Sequence, residues 1–296
     1  MSRPWRQCAL PSRPASRWPG GARVALWVAV AVEAYRPDDG RTEDILPRGP
    51  APDLVNAAWR DYGERVGAFR LLDRLAGLGV RPTLLLNTEV YDTAPAVVAA
   101  ARAAEAEIVA HGRSNSDALP DMTAADESAY IQACVARIAA EEGRPPQGWS
   151  SPWLQHRDTT LAHLRAAGLD YVLDFRLDDQ PVWLSTVAGP ILSIPYAAEL
   201  NDSSTMIGRQ MAPADFARAI LDEFEEMRAF GEQAVVMSVV LHSFISGQPF
   251  RLRPVAEALA RIVSGGDVWL ATPREIHAAV LAAPERAAGD PPGRGL

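Results

Sequence analysis

The chain has 296 residues, 48% of them hydrophobic and 22% charged, a globular composition long enough for one large core. A formal net charge of −8, with no long basic stripe, argues against a nucleic-acid surface. All 29 basic residues are Arg, because Lys is absent, which excludes a lysine Schiff base, a pyridoxal-phosphate anchor and a P-loop lysine. Cys8 and Cys134 lie in unrelated contexts and imply no disulfide framework, so a reducing, cytoplasmic setting is expected.

Residues 1–21 are broken by Pro4, Pro11, Pro14 and Pro19 and lack an apolar h-region, so they read as a flexible leader and not as a secretory signal. The apolar run 24–32 is far shorter than the ~20 residues of a membrane helix and reads as a strand buried on both faces. Residues 63–78 have helical spacing through Val66, Phe69, Leu72 and Leu75, and Gly79 supplies a stop. A strand over 83–87, a helix over 94–104 and a short strand over 108–110 follow, the last running into His111. A helix over 123–142 opens with Thr123-x-x-Asp126 and closes at Gly143. The second half predicts a helix over 159–167, strands over 171–173 and 191–194, and a helix over 213–230. A strand over 235–241, a helix over 253–264, a strand over 268–270 and a helix over 273–282 complete it. The tail, 284–296, is rich in Pro, Gly and Ala and reads as disordered. About seven βα units without a composition break, and no dinucleotide glycine fingerprint, favour one α/β barrel domain over 22–283 instead of a doubly wound sheet.

In a parallel barrel the C-terminal strand ends share one mouth. Glu33, His111, Asp174 and His242 all fall at such ends. Each alone has a plainer reading, a loop salt bridge or a satisfied core imidazole, but four together point to a site. Zinc is poorly served, because Asn115, four residues after His111, is a weak ligand and no second His or carboxylate pair stands nearby. Ser150, Ser151 and Ser243 lack a Gly-x-Ser-x-Gly elbow, and Ser243 should face away from His242 on a strand. Ser151 can still reach a substrate. Trp153 and Trp183 are candidate stacking walls, or simply core under long loops. Arg60-Asp61-Tyr62-Gly63-Glu64-Arg65 puts Tyr62 or Arg65 at the mouth. Asp178 sits in an Asp-Asp-Gln-Pro turn, and Gln248 follows His242 closely enough to offer an amide.

These residues resemble the polysaccharide deacetylase superfamily, and within it the allantoinase-like branch that includes cyclic imide hydrolases. The resemblance spans about Val24 to Ala282 and implies a single distorted (β/α)7 barrel. The family's first motif ends a strand with a catalytic acid followed by an acidic metal ligand; Glu33 and Ala34 stand there. Its two His ligands, four apart, correspond to His111 and Asn115. Its Arg-x-Pro-aromatic motif corresponds to Ser150-Ser151-Pro152-Trp153, and its Leu-x-His motif to Val240-Leu241-His242. Two of three expected metal ligands are therefore absent. The stretch from Arg60 to Gly67, Gly148-Trp149, Asp178 to Trp183, and Gly247 to Arg251 are similar to the allantoinase-like branch.

The expectation is metal-free opening of a C–N bond in a small cyclic amide or imide, with no cofactor. Glu33 would orient or deprotonate water, His242 would protonate the leaving nitrogen, and His111 and Asn115 would donate to the oxyanion. Trp153 and Trp183 would hold the ring, and Tyr62, Arg65, Ser151, Asp178 and Gln248 would line its binding site. The expected protein is a homo-oligomer whose partner is a small cyclic substrate, with no nucleic acid or membrane involved. The alternatives are a metal-dependent deacetylase of N-acetylated sugars and a catalytically inactive binding protein on the same barrel.

Overall fold

The computed structural model describes residues 3–289, so part of the expected disordered tail lies outside the described residues. The chain begins with β1 (Val24–Val32), followed by α1 (Leu54–Tyr62), α2 (Ala68–Gly77), β2 (Thr83–Leu86), α3 (Val90–Thr93), α4 (Pro95–Ala103) and β3 (Glu107–Ala110). Then come α5 (Ala124–Glu142), β4 (Gly148–Trp149), α6 (Thr160–Ala166), β5 (Tyr171–Val172), β6 (Val182–Leu184) and β7 (Ile191–Ser193). The last elements are α7 (Pro213–Ala229), β8 (Val235–His242), α8 (Pro249–Ser264), β9 (Val268–Leu270) and α9 (Pro273–Ala282).

The strands form one curled half-barrel in the order β6-β7-β5-β4-β3-β2-β1-β8, and all pairings are parallel except β6 with β7. On one side β1 runs along β8 for its whole length. On its other side β9 takes the first residues, from Val24↔Val268, and β2 takes the last, to Val32↔Leu86. The free edge of β8 is covered by a bridge from Asn201 to Val240, which blunts an otherwise open strand.

Strand alternation sorts the core into two layers. Val24, Leu26, Val28, Val30 and Val32 pack with the helices, whereas Ala25, Trp27, Ala29 and Ala31 fill the lumen with Leu85, Val109, Val236 and Val240. The same parity therefore aims Glu33, Asn87, His111 and His242 inward, two or more residues beyond lumen positions of their strands. Ala34, one residue out of phase, belongs to the helix-side layer.

Several elements depart from the sequence expectation. Helix α1 was not foreseen because its buried residues are Asn56 and Arg60, so hydrophobic periodicity is silent there. Strands β4 and β6 are two and three residues long, too short to announce themselves. Helix α5 matches closely: Thr123 Oγ1 accepts from Asp126 N–H, and Gly143 takes the left-handed conformation at φ 70°. The leader, expected to be flexible, is packed across residues 3–21. Trp18 is 1% exposed and donates to Val235 O at 2.7 Å, and Arg13 pairs with Asp178 at 2.6 Å. The N-terminal segment thus covers the start of β8. Both cysteines are free, and burial pushes the Cys134 thiol up to about 12. No helix among the described residues is long and apolar enough to cross a membrane.

Candidate active site

At the C-terminal strand ends the lumen opens into a cavity of about 150 Å³. Glu33, His111, Asn115, Ser151, Trp153 and His242 line it, so six of the eleven sequence candidates converge. Glu33 is the hub. Its Oε1 lies 3.3 Å from His242 Nε2 and 3.5 Å from His111 Nε2, and its Oε2 accepts from the Tyr35 hydroxyl at 2.5 Å. Tyr35 is two residues beyond Glu33 and shares its face, a parity signal that the sequence carried and the motif search passed over.

Burial alone would raise the Glu33 carboxyl, but the His242 charge and hydrogen bonds from His111 and His242 outweigh it and hold the carboxyl far below the usual range. Burial would lower His242; the charges of Glu33 and Asp202 and their hydrogen bonds instead hold it well above an ordinary imidazole. Both partners therefore favour the carboxylate–imidazolium pair. Asp202 fixes the ring: Oδ1 accepts from His242 Nδ1 at 2.6 Å, while Oδ2 accepts from His242 N at 2.9 Å, Ser246 N at 3.2 Å and Ser246 Oγ at 2.5 Å. With Nδ1–H committed, Nε2–H is the proton that faces the cavity.

His111 Nδ1 lies 2.8 Å from Ser150 O, and a carbonyl can only accept, so Nδ1 carries hydrogen. A donor role for Nε2 consequently requires the imidazolium form. Asn115 Nδ2 donates to Tyr35 Oη at 3.3 Å, and Asn115 O accepts from Trp153 Nε1 at 2.8 Å. Trp153 and Leu154 both adopt left-handed backbone, φ 60° and 54°, a strained non-glycine pair that turns the indole into the cavity wall.

Ser151 does not have the setting of a nucleophile. Its Oγ accepts from Trp149 Nε1 at 2.9 Å, and its N–H donates to Asp174 Oδ1 at 2.7 Å. His156 Nε2 is 2.7 Å from Asp174 Oδ2 and 3.5 Å from Ser151 Oγ, so its proton goes to the carboxylate and no lone pair is left for the serine. Asp174, expected at the mouth, serves instead to brace this turn.

The other candidates lie elsewhere. Tyr62 Oη accepts from Arg70 Nη1 at 2.6 Å, and Arg70 also holds Gly247 O. Asp178 is tied to Arg13 of the leader, and Trp183 packs edge-on against His277 of α9, 6.5 Å between centroids. Both are displaced because the chain after β5 turns back along the sheet edge rather than entering a helix. Gln248 is the residue before α8 and does not line the cavity. Arg65 lines a second cleft of about 310 Å³ whose walls also include Glu33 and Tyr35. Tyr196, a further candidate for the aromatic wall, lines the cavity, and Glu43, Asn201 and Ser203 do so without having been singled out. Asn201 and Asp202 sit in a Leu-Asn-Asp-Ser-Ser run after β7, a polar cluster that would have flagged them.

A metal ion would need several converging donors. The position after Glu33 is Ala34, whose N–H is taken by Asn87 Oδ1 at 2.9 Å. Asn115 presents an amide already engaged with Tyr35 and Asn87. Among the described residues no group of three or more His, Cys, Asp or Glu side chains has the arrangement of a metal site. The donor set does not fit the ion that the resemblance implies at these positions.

Residues 58–172 match the polysaccharide deacetylase family model. The chain has the polysaccharide deacetylase fold. A putative polysaccharide deacetylase from Schizosaccharomyces pombe (strain 972 / ATCC 24843) is 25% identical, with 87% of this chain and 85% of that protein covered. The solved structure of PuuE allantoinase superposes with a TM-score of 0.86 at 23% identity, covering 96% of this chain and 99% of that one. A probable polysaccharide deacetylase from Pseudomonas aeruginosa PAO1 gives 0.82 at 24% identity, covering 91% and 95%. The half-barrel thus shares its fold with these structures, with Glu33, His111 and His242 on its strand ends.

Proposed function

We propose that the protein opens a C–N bond of a small cyclic amide or imide by metal-independent acid–base hydrolysis. The observation that carries this reading is the Glu33–His242–Asp202 array, an ionised pair poised across 3.3 Å with its imidazole locked by a saturated carboxylate. An imide carbonyl is more electrophilic than a peptide carbonyl, because one nitrogen lone pair is shared by two acyl groups. Such a ring needs less Lewis-acid help. The cavity of about 150 Å³ suits one small ring and lies below the ~300–1,000 Å³ of most ligand clefts. The fold shared with PuuE allantoinase is consistent with it.

In this mechanism water held by Glu33 attacks the ring carbonyl and its proton passes to the carboxylate. His242 Nε2–H is delivered to the ring nitrogen as the C–N bond breaks. The product is an acid and an amide. A proton then returns from Glu33 to His242 across their short gap, restoring the pair. A carboxyl held so low is a weak base, so Glu33 acts chiefly by orienting water and by accepting a proton only as His242 gives one up. Asn115 and, in its imidazolium form, His111 line the cavity beside Glu33 and would stabilise the developing anion, an effect of up to ~3–4 kcal/mol for one well-placed donor.

The test is turnover of succinimide, glutarimide, phthalimide and hydantoin by exhaustively chelated protein, beside acetate release from chitin oligomers. Retained ring opening supports the proposal. Activity lost on chelation and restored by zinc refutes metal independence, and acetate release alone points to a deacetylase. Glu33→Gln and His242→Ala are each expected to lower kcat by ~10²–10⁴ with the fold intact.

A further inference from the structure

Three carboxyl groups face or adjoin the cavity, and they differ in how fully the protein satisfies them. Both oxygens of Asp202 are bonded by backbone and side-chain donors, and both oxygens of Glu33 meet Tyr35, His111 or His242. Glu43 is different. Its Oε2 accepts from Ser203 Oγ at 2.8 Å, whereas among the described residues no donor bonds its Oε1. The residue is not on a loose loop. Arg60, 8% exposed, donates through Nη1 to Glu43 O at 2.9 Å and to Asp44 Oδ1 at 2.5 Å, and stacks 5.1 Å over the Tyr35 ring. Arg41 N–H is held by Ser116 O at 3.1 Å, where Gly40, at φ 71°, lets the backbones approach without a Cβ. The segment before α1 is pinned at both ends of this turn, and it brings Glu43 to the cavity from outside the barrel strands.

We propose that Glu43 determines specificity, selecting rings that carry an amine or amide N–H arm over rings that carry a carboxylate arm. The inference rests on the ring-opening reading above. A carboxylate oxygen without a protein donor in a half-buried wall is completed by a substrate N–H, and a charge-assisted bond of this kind is strong. Burial pushes the Glu43 carboxyl up, only partly offset by His242 and Ser203, and an N–H donor brought by a substrate would offset it further. The charge balance points the same way. Glu33, Asp202 and Glu43 surround the His242 imidazolium, so a further carboxylate brought in on a substrate meets like charge in a confined space. Ser203, which holds Oε2, keeps the carboxyl plane turned toward the cavity.

The experiment uses three probes on one ring: hydantoin, 5-(aminomethyl)hydantoin and hydantoin-5-acetic acid. For each, kcat/KM is measured with the full chain and with Glu43→Gln, which preserves an acceptor for Ser203. Calorimetric Kd values are measured in parallel. The wild-type ratio of aminomethyl to bare ring is expected to exceed one, and Glu43→Gln is expected to lower it about 10- to 100-fold, the range of one hydrogen bond to a charged group. The acetic-acid probe should gain relative to the bare ring in the variant. Because the readout is a ratio, any general effect of the substitution on His242 cancels. An unchanged ratio in turnover and in Kd overturns the inference. Arm-selective binding erased by Glu43→Gln, without turnover of any probe, upholds it while refuting the reaction proposed above. Turnover without arm selectivity does the reverse, and a protein that neither binds nor opens the rings refutes both.

Discussion

Replacing Asp202 by Asn removes a charge while preserving shape, and its consequence can be worked from contacts already described. The Asp202 carboxylate receives four donors, from His242 Nδ1, His242 N, Ser246 N and Ser246 Oγ. An amide oxygen can keep His242 Nδ1–H and one backbone N–H. The amide nitrogen then points at Ser246, whose hydroxyl can accept from it but whose backbone N–H is left unpaired. Ala at this position would orphan all four donors and risk the ~3–5 kcal/mol cost of breaking a buried charge pair, so Asn is the informative change. The bond from a charged carboxylate to an imidazolium is worth ~1.5–3 kcal/mol beyond an ordinary contact. That is about 10- to 100-fold in the balance between imidazolium and imidazole at His242. Since Asp202 is one of two charges that raise His242, its loss shifts the imidazole downward.

Under the proposed mechanism His242 must be protonated to donate, so the alkaline limb of the kcat/KM profile should move to lower pH in Asp202→Asn. Turnover on the alkaline side of the profile should fall about 10- to 100-fold. The assay is a pH–rate profile on a cyclic imide, with circular dichroism and a thermal melt confirming the fold. A profile superimposable on the wild type, or a loss below about threefold, refutes the reasoning and reduces Asp202 to a brace for the Ser246 turn.

Gly67 and Gly247 touch, and a Cβ on either would run into Ser243 O in the turn just after His242. Gly67→Ala is expected to push that turn, costing up to ~10²-fold in kcat and lowering thermal stability as well, read by steady-state kinetics and melting together. Glu107, 4% exposed near the start of β3, accepts from the Tyr171 hydroxyl and from Arg274 N at 3.0 Å. Glu107→Ala leaves both donors buried without a partner and should destabilise by about 2–4 kcal/mol in urea titrations, while turnover per folded molecule is unchanged. Glu33 supplies a sign-definite pH effect. Its carboxyl is depressed in the folded state, so its stabilisation is present above the ordinary value of 4.5 and is lost as pH falls below it. Urea midpoints measured from pH 7 to pH 3 should decline less steeply in Glu33→Gln than in the wild type, and parallel declines would contradict the assignment.

The parts of the site that were legible lie on strands, where period-two alternation dictates direction. Glu33, His111 and His242 follow lumen-facing residues at even spacing, and the structure turns each inward as that parity requires. The parts that were not legible come from segments whose direction local sequence does not set. Asp202 and Asn201 arrive from a polar run after β7, and Glu43 from the long connection to α1, held there by Arg60 across a distance no pattern encodes. Asp178 and Trp183 were misplaced for the converse reason. Their motif resembled a mouth loop, but β6 runs antiparallel at the sheet edge and carries them to the leader and to α9.

Ala34 and Asn115, the two positions where the resemblance implies ion ligands, are both tied into hydrogen bonds. Ala34 gives its N–H to Asn87, and Asn87 also bonds His111 O and approaches Asn115 at 3.5 Å. Asn115 in turn donates to the Tyr35 hydroxyl, which donates to Glu33. A chain of neutral amides and a phenol therefore runs from Ala34 and Asn115 to the carboxylate and supports its charge without adding another. A degenerating site would leave such buried polar atoms unsatisfied, at a cost of ~1–3 kcal/mol each. The side-chain polar atoms of Tyr35, Asn87 and Asn115 are absent from the buried groups lacking a partner among the described residues. The network around Glu33 is thus complete, which is the condition under which an acid–base pair can be held ready in a buried cavity.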